Sequence, residues 1–235
     1  MKKKLLVTSL ALLGGLGVCF TVSAADGPLA KRLVNSRHNF SGSGGVVGGN
    51  TALYTDLSLN GQTCLPCHAP HNNLSHATEL LWNHQSNLAP SYTMYSSPSF
   101  NGDDVGGALV ISPTSKFCLS CHDGTIATDS YGLHTGDGSK KITGGANLGS
   151  DFGNDHPYSF LYNNATVAAD TLAGGSPGLY APSVVIAAGL PLFGSTGSEM
   201  MECGTCHDVH NKHGWPKLLN ADNTNSALCL TCHIK

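Results

Sequence analysis

The sequence predicts a mostly irregular fold, coil and turns with few short helices and little strand, wrapped around bound groups instead of an apolar interior. Three observations predict it. The pentapeptide Cys-x-x-Cys-His occurs four times, at Cys64-Leu-Pro-Cys67-His68, Cys118-Leu-Ser-Cys121-His122, Cys203-Gly-Thr-Cys206-His207 and Cys229-Leu-Thr-Cys232-His233. Charged residues make up 11 % of the chain, where about 25 % is usual. Glycine is abundant, at 29 of 235 residues, and long apolar periods are few, so the polypeptide has little with which to build a core of its own.

The repeated pentapeptide is the attachment signature of a c-type haem. Its two thiols add to the two vinyl groups on one edge of the porphyrin, and two intervening residues place both sulfurs on one helical turn. The next residue offers the iron an imidazole nitrogen. Four copies imply four covalently attached haem c groups. They use Cys64, Cys67, Cys118, Cys121, Cys203, Cys206, Cys229 and Cys232, with His68, His122, His207 and His233 as proximal ligands. With His at 12 of 235 residues, four chance placements after a Cys-x-x-Cys have a probability of roughly 10⁻⁵. Zinc ribbons and disulfide frameworks also use paired cysteines, but neither needs a His after every pair.

Residues 1–25 read as a secretory signal peptide. A lysine head precedes an apolar run, and Val22-Ser23-Ala24-Ala25 supplies small residues for cleavage. Cys19 leaves with it. No second apolar span follows, so the expectation is an exported protein without a membrane span, extracellular or at the cell surface, otherwise periplasmic. Residues 26–235 form a single tetrahaem domain, with 26–60 as an N-terminal arm. Loss of the three leader lysines takes the formal net charge from −3 to −6. With no basic stripe, nucleic acid is not an expected partner. The scarcity of surface charge fits either extensive subunit contact or glycine-rich loops.

The elements follow in order. The Ser/Gly-rich stretch 41–50 is a loop. Leu81-Trp82-Asn83-His84 and a turn at Tyr95-Ser96-Ser97-Pro98 lie between the first two sites. Pro113-Thr114-Ser115 starts a helix that carries site two. The longest interval, before site three, holds Asn154-Asp155-His156-Pro157 and a short strand at Val184-Val185-Ile186. Asn225-Ser226 supplies an N-cap for a short helix at site four. Every Asp and Glu reads as loop or surface, and no Ser-His-Asp or paired-carboxylate constellation is assignable.

An iron that only carries electrons takes two axial ligands, and eight further histidines are available. His71 and His210 each stand three residues past a proximal ligand. Three residues cannot reach around the ring, so each would bind a neighbouring haem. His156 precedes Pro157, which stiffens its presentation. His84 is either a ligand or a packed, hydrogen-bonded residue. His38 stands alone on the N-terminal arm. These five candidates exceed four sites by one, while His76, His134 and His213 sit in polar surroundings. Two imidazoles per iron favour low reduction potential.

These stretches, together with Asn35-Ser36-Arg37-His38-Asn39, resemble the doubled-Cys-x-x-Cys-His multihaem cytochromes, and among them the filament-forming tetrahaem cytochromes on the outer surface of metal-reducing bacteria. The resemblance implies all-His ligation, a nearly loop-only fold and polymerisation into a homopolymer whose haems run end to end. It also implies that a His of one subunit ligates a haem of the next, a role suited to His38. The expected function is therefore electron transfer along stacked haems in an extracellular conductive filament, to redox partner proteins or extracellular acceptors. A monomeric periplasmic electron carrier is the alternative. A haem enzyme needs an open iron position, against which the surplus of histidines argues.

Overall fold

The structure, a computed structural model, describes residues 33, 36–40, 63–69, 81–86, 91–102, 109–133, 135–136, 138, 140–170, 175 and 178–235. The proposed signal peptide, the 41–50 loop, His71, His76 and His134 lie outside them. Most of the described chain is coil and turn, with a few short helices and one small two-stranded sheet, as the composition predicts.

Helix α1 spans Pro113–His122, and its ends are explicit in the sequence. Ser112 is the N-cap, and its hydroxyl accepts from the Ser115 N–H at 3.3 Å. Pro113 occupies the first turn, where its missing donor costs nothing. Gly124, at φ 73°, takes the left-handed conformation that stops the helix. Strand β1, Phe160–Leu161, pairs antiparallel with β2, Met200–Met201, with Phe160 opposite Met201. Helix α2, Asn164–Ala169, is capped by Asn163, which accepts from the N–H groups of Ala165 and Thr166, both at 3.0 Å.

The strand expected at Val184-Val185-Ile186 is instead helix α3, Pro182–Ala187. The β-branched residues suggested a strand, but Pro182 opens a helical turn. Pro182 and Val185, three apart, are buried together while Val184 and Ile186 face outward. Helix α4 is the single turn Cys203–Cys206, and α5 is Ala227–Leu230. The start of α5 falls where Asn225-Ser226 predicts. However, Ser226 enters it in the left-handed conformation and makes no side-chain cap. A 3₁₀ turn over Thr224–Ser226 delivers the chain instead.

The largest apolar cluster joins Phe160, Tyr162, Val185, Leu190, Met201 and Leu228 to Cys232 of site four. A second, of Ile111, Leu119 and Phe152, lies under site two. These clusters seat the attachment turns.

Candidate haem-attachment sites

Each attachment turn is pinned by a second stretch of backbone. At site one, the Asn83 N–H donates to the Cys67 carbonyl at 2.9 Å and the Ala69 N–H to the Leu81 carbonyl at 3.0 Å. At site three, the Asn220 N–H donates to the Cys206 carbonyl at 2.9 Å and the Asp208 N–H to the Leu218 carbonyl at 2.7 Å. At site four, the Tyr180 N–H donates to the Cys232 carbonyl and the Ile234 N–H to the Gly178 carbonyl, both at 2.8 Å. Site two has a one-bond version, from the Leu148 N–H to the His122 carbonyl at 2.7 Å. The clamp brackets the Cys-His step and so fixes where the imidazole starts. Gly204 lets its pentapeptide lie close against the Phe193 ring, whose Cζ a Cβ there would meet at 2.7 Å.

The clamp segments also orient rings. Nδ1 of His122 lies 2.8 Å from the Ala146 carbonyl, and Nδ1 of His207 lies 3.0 Å from the Lys217 carbonyl. Nδ1 of His156 faces the Pro157 carbonyl at 2.8 Å. A carbonyl only accepts, so these contacts put the proton on Nδ1 and leave the Nε2 lone pair for a metal.

The histidines meet in pairs. His68 and His210 have ring centroids 6.3 Å apart and nearly parallel planes, 20° between them. His38 and His122 lie 6.1 Å apart, and His156 and His233 lie 6.3 Å apart. Two imidazoles bound on opposite sides of one metal, with bonds of about 2 Å, place their ring centroids about 6 Å apart. Three of the four pentapeptide histidines thus stand opposite a second imidazole at that spacing. Burial, and then the charge of His122, holds His38 well below the usual value, at about 4. Burial, and then His156, lowers His233. Both shifts favour neutral rings, the form that binds metal.

His210 lies on the segment of site three yet its ring faces that of His68 at site one. His38 faces His122 of its own chain. His84 is 1 % exposed, with Nδ1 2.9 Å from the Gln85 carbonyl and Nε2 3.1 Å from the Ala127 carbonyl. Its ring is packed between backbone acceptors, and burial lowers its pKa. His213 is exposed and borders a cleft of about 380 Å³ beside His210 and Leu190.

The attachment thiols of successive sites lie close enough to perturb one another. Burial, and then Cys67, pushes Cys121 up; the hydrogen bond between Cys118 and Cys203 raises the former and lowers the latter; burial, and then Cys232, pushes Cys206 up to about 11. Among the described residues three buried polar atoms beside these sites lack partners: Nε1 of Trp82, whose ring stands edge-on to His68, Oδ1 of Asn83, and the hydroxyl of Tyr158. The Tyr158 hydroxyl is raised by burial and then by Cys203. Paired imidazoles, contiguous thiols and orphaned donors suited to a propionate together fit haem at these positions. Among the described residues no three His, Cys, Asp or Glu side chains converge on one metal site.

Sequence reasoning missed Glu202. Read as loop or surface, it is 2 % exposed, and Asp123 and Asp129 are buried too. The one available signal was its place before Cys203 with Thr205 three residues on, a capping-box spacing with the residue types reversed. Among the described residues no helix is long and apolar enough to cross a membrane. No curated protein matches the chain. Residues 197–235, which carry sites three and four, match the family model described as the Doubled CXXCH motif.

Proposed function

We propose that the chain is a tetrahaem c-type cytochrome that carries electrons through closely spaced haems, each iron held between two imidazoles. The observation that carries this reading is the set of three histidine pairs at 6.1–6.3 Å. Haem supplies the one-electron chemistry; the chain fixes spacing, orientation and local polarity. His68 and His210 serve site one, His122 and His38 site two, and His233 and His156 site four. Site three has His207. We assign His71 as its second ligand because the ring of His84 is enclosed at site two, with Nε2 3.1 Å from the Ala127 carbonyl and 3.4 Å from Cys121 Sγ. The thiol contacts link site two to sites one and three and site three to site four, and the His68–His210 pair sets site one beside site three as well.

The finer reading is an exported homopolymer, an extracellular conductive filament serving redox partners or extracellular acceptors. The low surface charge and the resemblance support it, as do the outward-facing Val184, Ile186 and Leu230. His38 can keep its role at the subunit junction by exchange of the arm, which makes the same His38–His122 pair between neighbours. The alternative is a monomeric periplasmic carrier.

A pyridine haemochrome assay on the secreted protein should find four covalent haems per chain; fewer removes the tetrahaem reading. His210→Ala and His71→Ala should each open one iron, detected as carbon monoxide binding by the reduced protein, whereas His84→Gln should not. Carbon monoxide binding by His84→Gln alone would move the fourth assignment from His71 to His84. His38→Ala should retain four haems and lose filaments in electron micrographs. Intact filaments from that variant would remove the junction.

A further inference from the structure

The seam between sites two and three closes on a buried carboxylate. Glu202 precedes Cys203 directly, and α4 packs against α1 at this point. The carboxylate accepts from the Ser115 hydroxyl, from the Ser159 hydroxyl at 3.2 Å, and from the Thr205 N–H. The Glu202 N–H donates to the Thr205 hydroxyl at 3.0 Å, and the Cys203 N–H donates to Ser115 Oγ at 3.3 Å. Ser115, Ser159, Glu202 and Thr205 are at most 3 % exposed. Its partners among the described residues are all neutral donors, so the cluster holds the carboxylate and adds no counter-charge. Ser115 stands three residues before Cys118, and the Cys118 and Cys203 thiols share a hydrogen bond. The carboxylate therefore sits at the root of two attachment turns at once.

A capping role alone does not call for this chemistry. A Ser or Asn caps a one-turn helix without placing a carboxylate in a water-poor seam, where an uncompensated charge is costly. We propose that Glu202 sets the reduction potential of sites two and three, a fixed negative charge that favours oxidised iron at both. This rests on the haem assignment above. Each site still gains one electron on reduction. The charge shifts that equilibrium, because a nearby anion stabilises the ferric state more than the ferrous, and most strongly where water is excluded. The two central haems then stand lower in potential than they would without it.

Glu202→Gln keeps the size and an acceptor oxygen but removes the charge. Haemochrome should still count four haems. Potentiometric titration followed in the Soret band should show two of the four equivalents moving positive. The expected change is about tenfold in the reduction equilibrium, ~59 mV for a one-electron couple, with the other two in place. An unchanged titration with four haems attached overturns the proposal. Ser115→Ala cuts the same seam but leaves the charge, and should produce no such positive shift; an equal shift assigns the effect to packing and overturns it as well. A third measurement needs no variant. The chain has only three glutamates, Glu79, Glu199 and Glu202. Wild-type protein carrying ¹³C-labelled glutamate should show a labelled carboxylate band in the reduced-minus-oxidised infrared difference, and a spectrum without one overturns the charge role. A wild-type haem count short of four strikes the haem assignment, separately from this one.

Discussion

Sites two and three meet across a polar seam, whereas site four is seated in oil. Around site four, Tyr162, Val185 and Leu190 are each at most 1 % exposed and pack with Leu228 and Cys232. The seam buries Ser115, Ser159, Glu202 and Thr205 as deeply, and directional hydrogen bonds hold it. The difference teaches that this chain uses two ways to hold an attachment turn. Apolar packing is non-directional and tolerates small shifts. A network of buried polar groups fixes one geometry, and losing a member leaves another unsatisfied. The directional solution stands where two sites must be aligned to each other.

The largest expected effect breaks the apolar side. Leu190→Ala in the haem-loaded protein should cost about 2–5 kcal/mol, read from chemical unfolding followed by far-ultraviolet circular dichroism. A loss under about 1 kcal/mol would mean that the haem, not this cluster, carries the fourth site.

Acid sharpens the contrast between the His38 side and its surroundings. His38 has a folded-state pKa of about 4 against 6.5 in the open chain. Its contribution to stability is therefore complete above pH 6.5 and is lost as pH falls through 6.5 toward 4. Iron on the ring competes with the proton and moves the window lower still, so acid titration of the haem-loaded protein should show site two losing its second imidazole near or below pH 4, seen as a low-spin to high-spin change in the visible spectrum. The His38→Ala protein should lack that transition.

The smallest effect lies at the helix that carries site two. Ser112→Ala removes the N-cap of α1 and should cost about 1 kcal/mol, with four haems still attached. A change in haem count would show that the cap governs attachment as well as stability.

Much of this was legible in the sequence. The pentapeptides name the candidate attachment residues, and the poverty of charge and apolar periods gives the irregular fold. Pro113 marks a helix start because proline's fixed φ is a local property. Other features were not local. Pro182 outweighed three β-branched residues only because the buried face repeats every three positions. The clamp at site four comes from Gly178 and Tyr180, far upstream, and no spacing rule points to it. Which His faces which is likewise a long-range matter: His210 could be taken from its own turn by arithmetic, but His38 beside His122 could not. Glu202 was misread because burial, not residue type, decides what a carboxylate does.

The attachment thiols carry a last consequence. Burial pushes Cys67 up to about 12 and raises Cys206 and Cys232 as well, which holds back their thiolates. Their partners differ: Cys64 and Cys229 are exposed, and the hydrogen bond with Cys118 lowers Cys203. In three of the four pentapeptides the first thiol thus stands open to reaction while the second is withheld, an asymmetry that would give a two-bond attachment a built-in order.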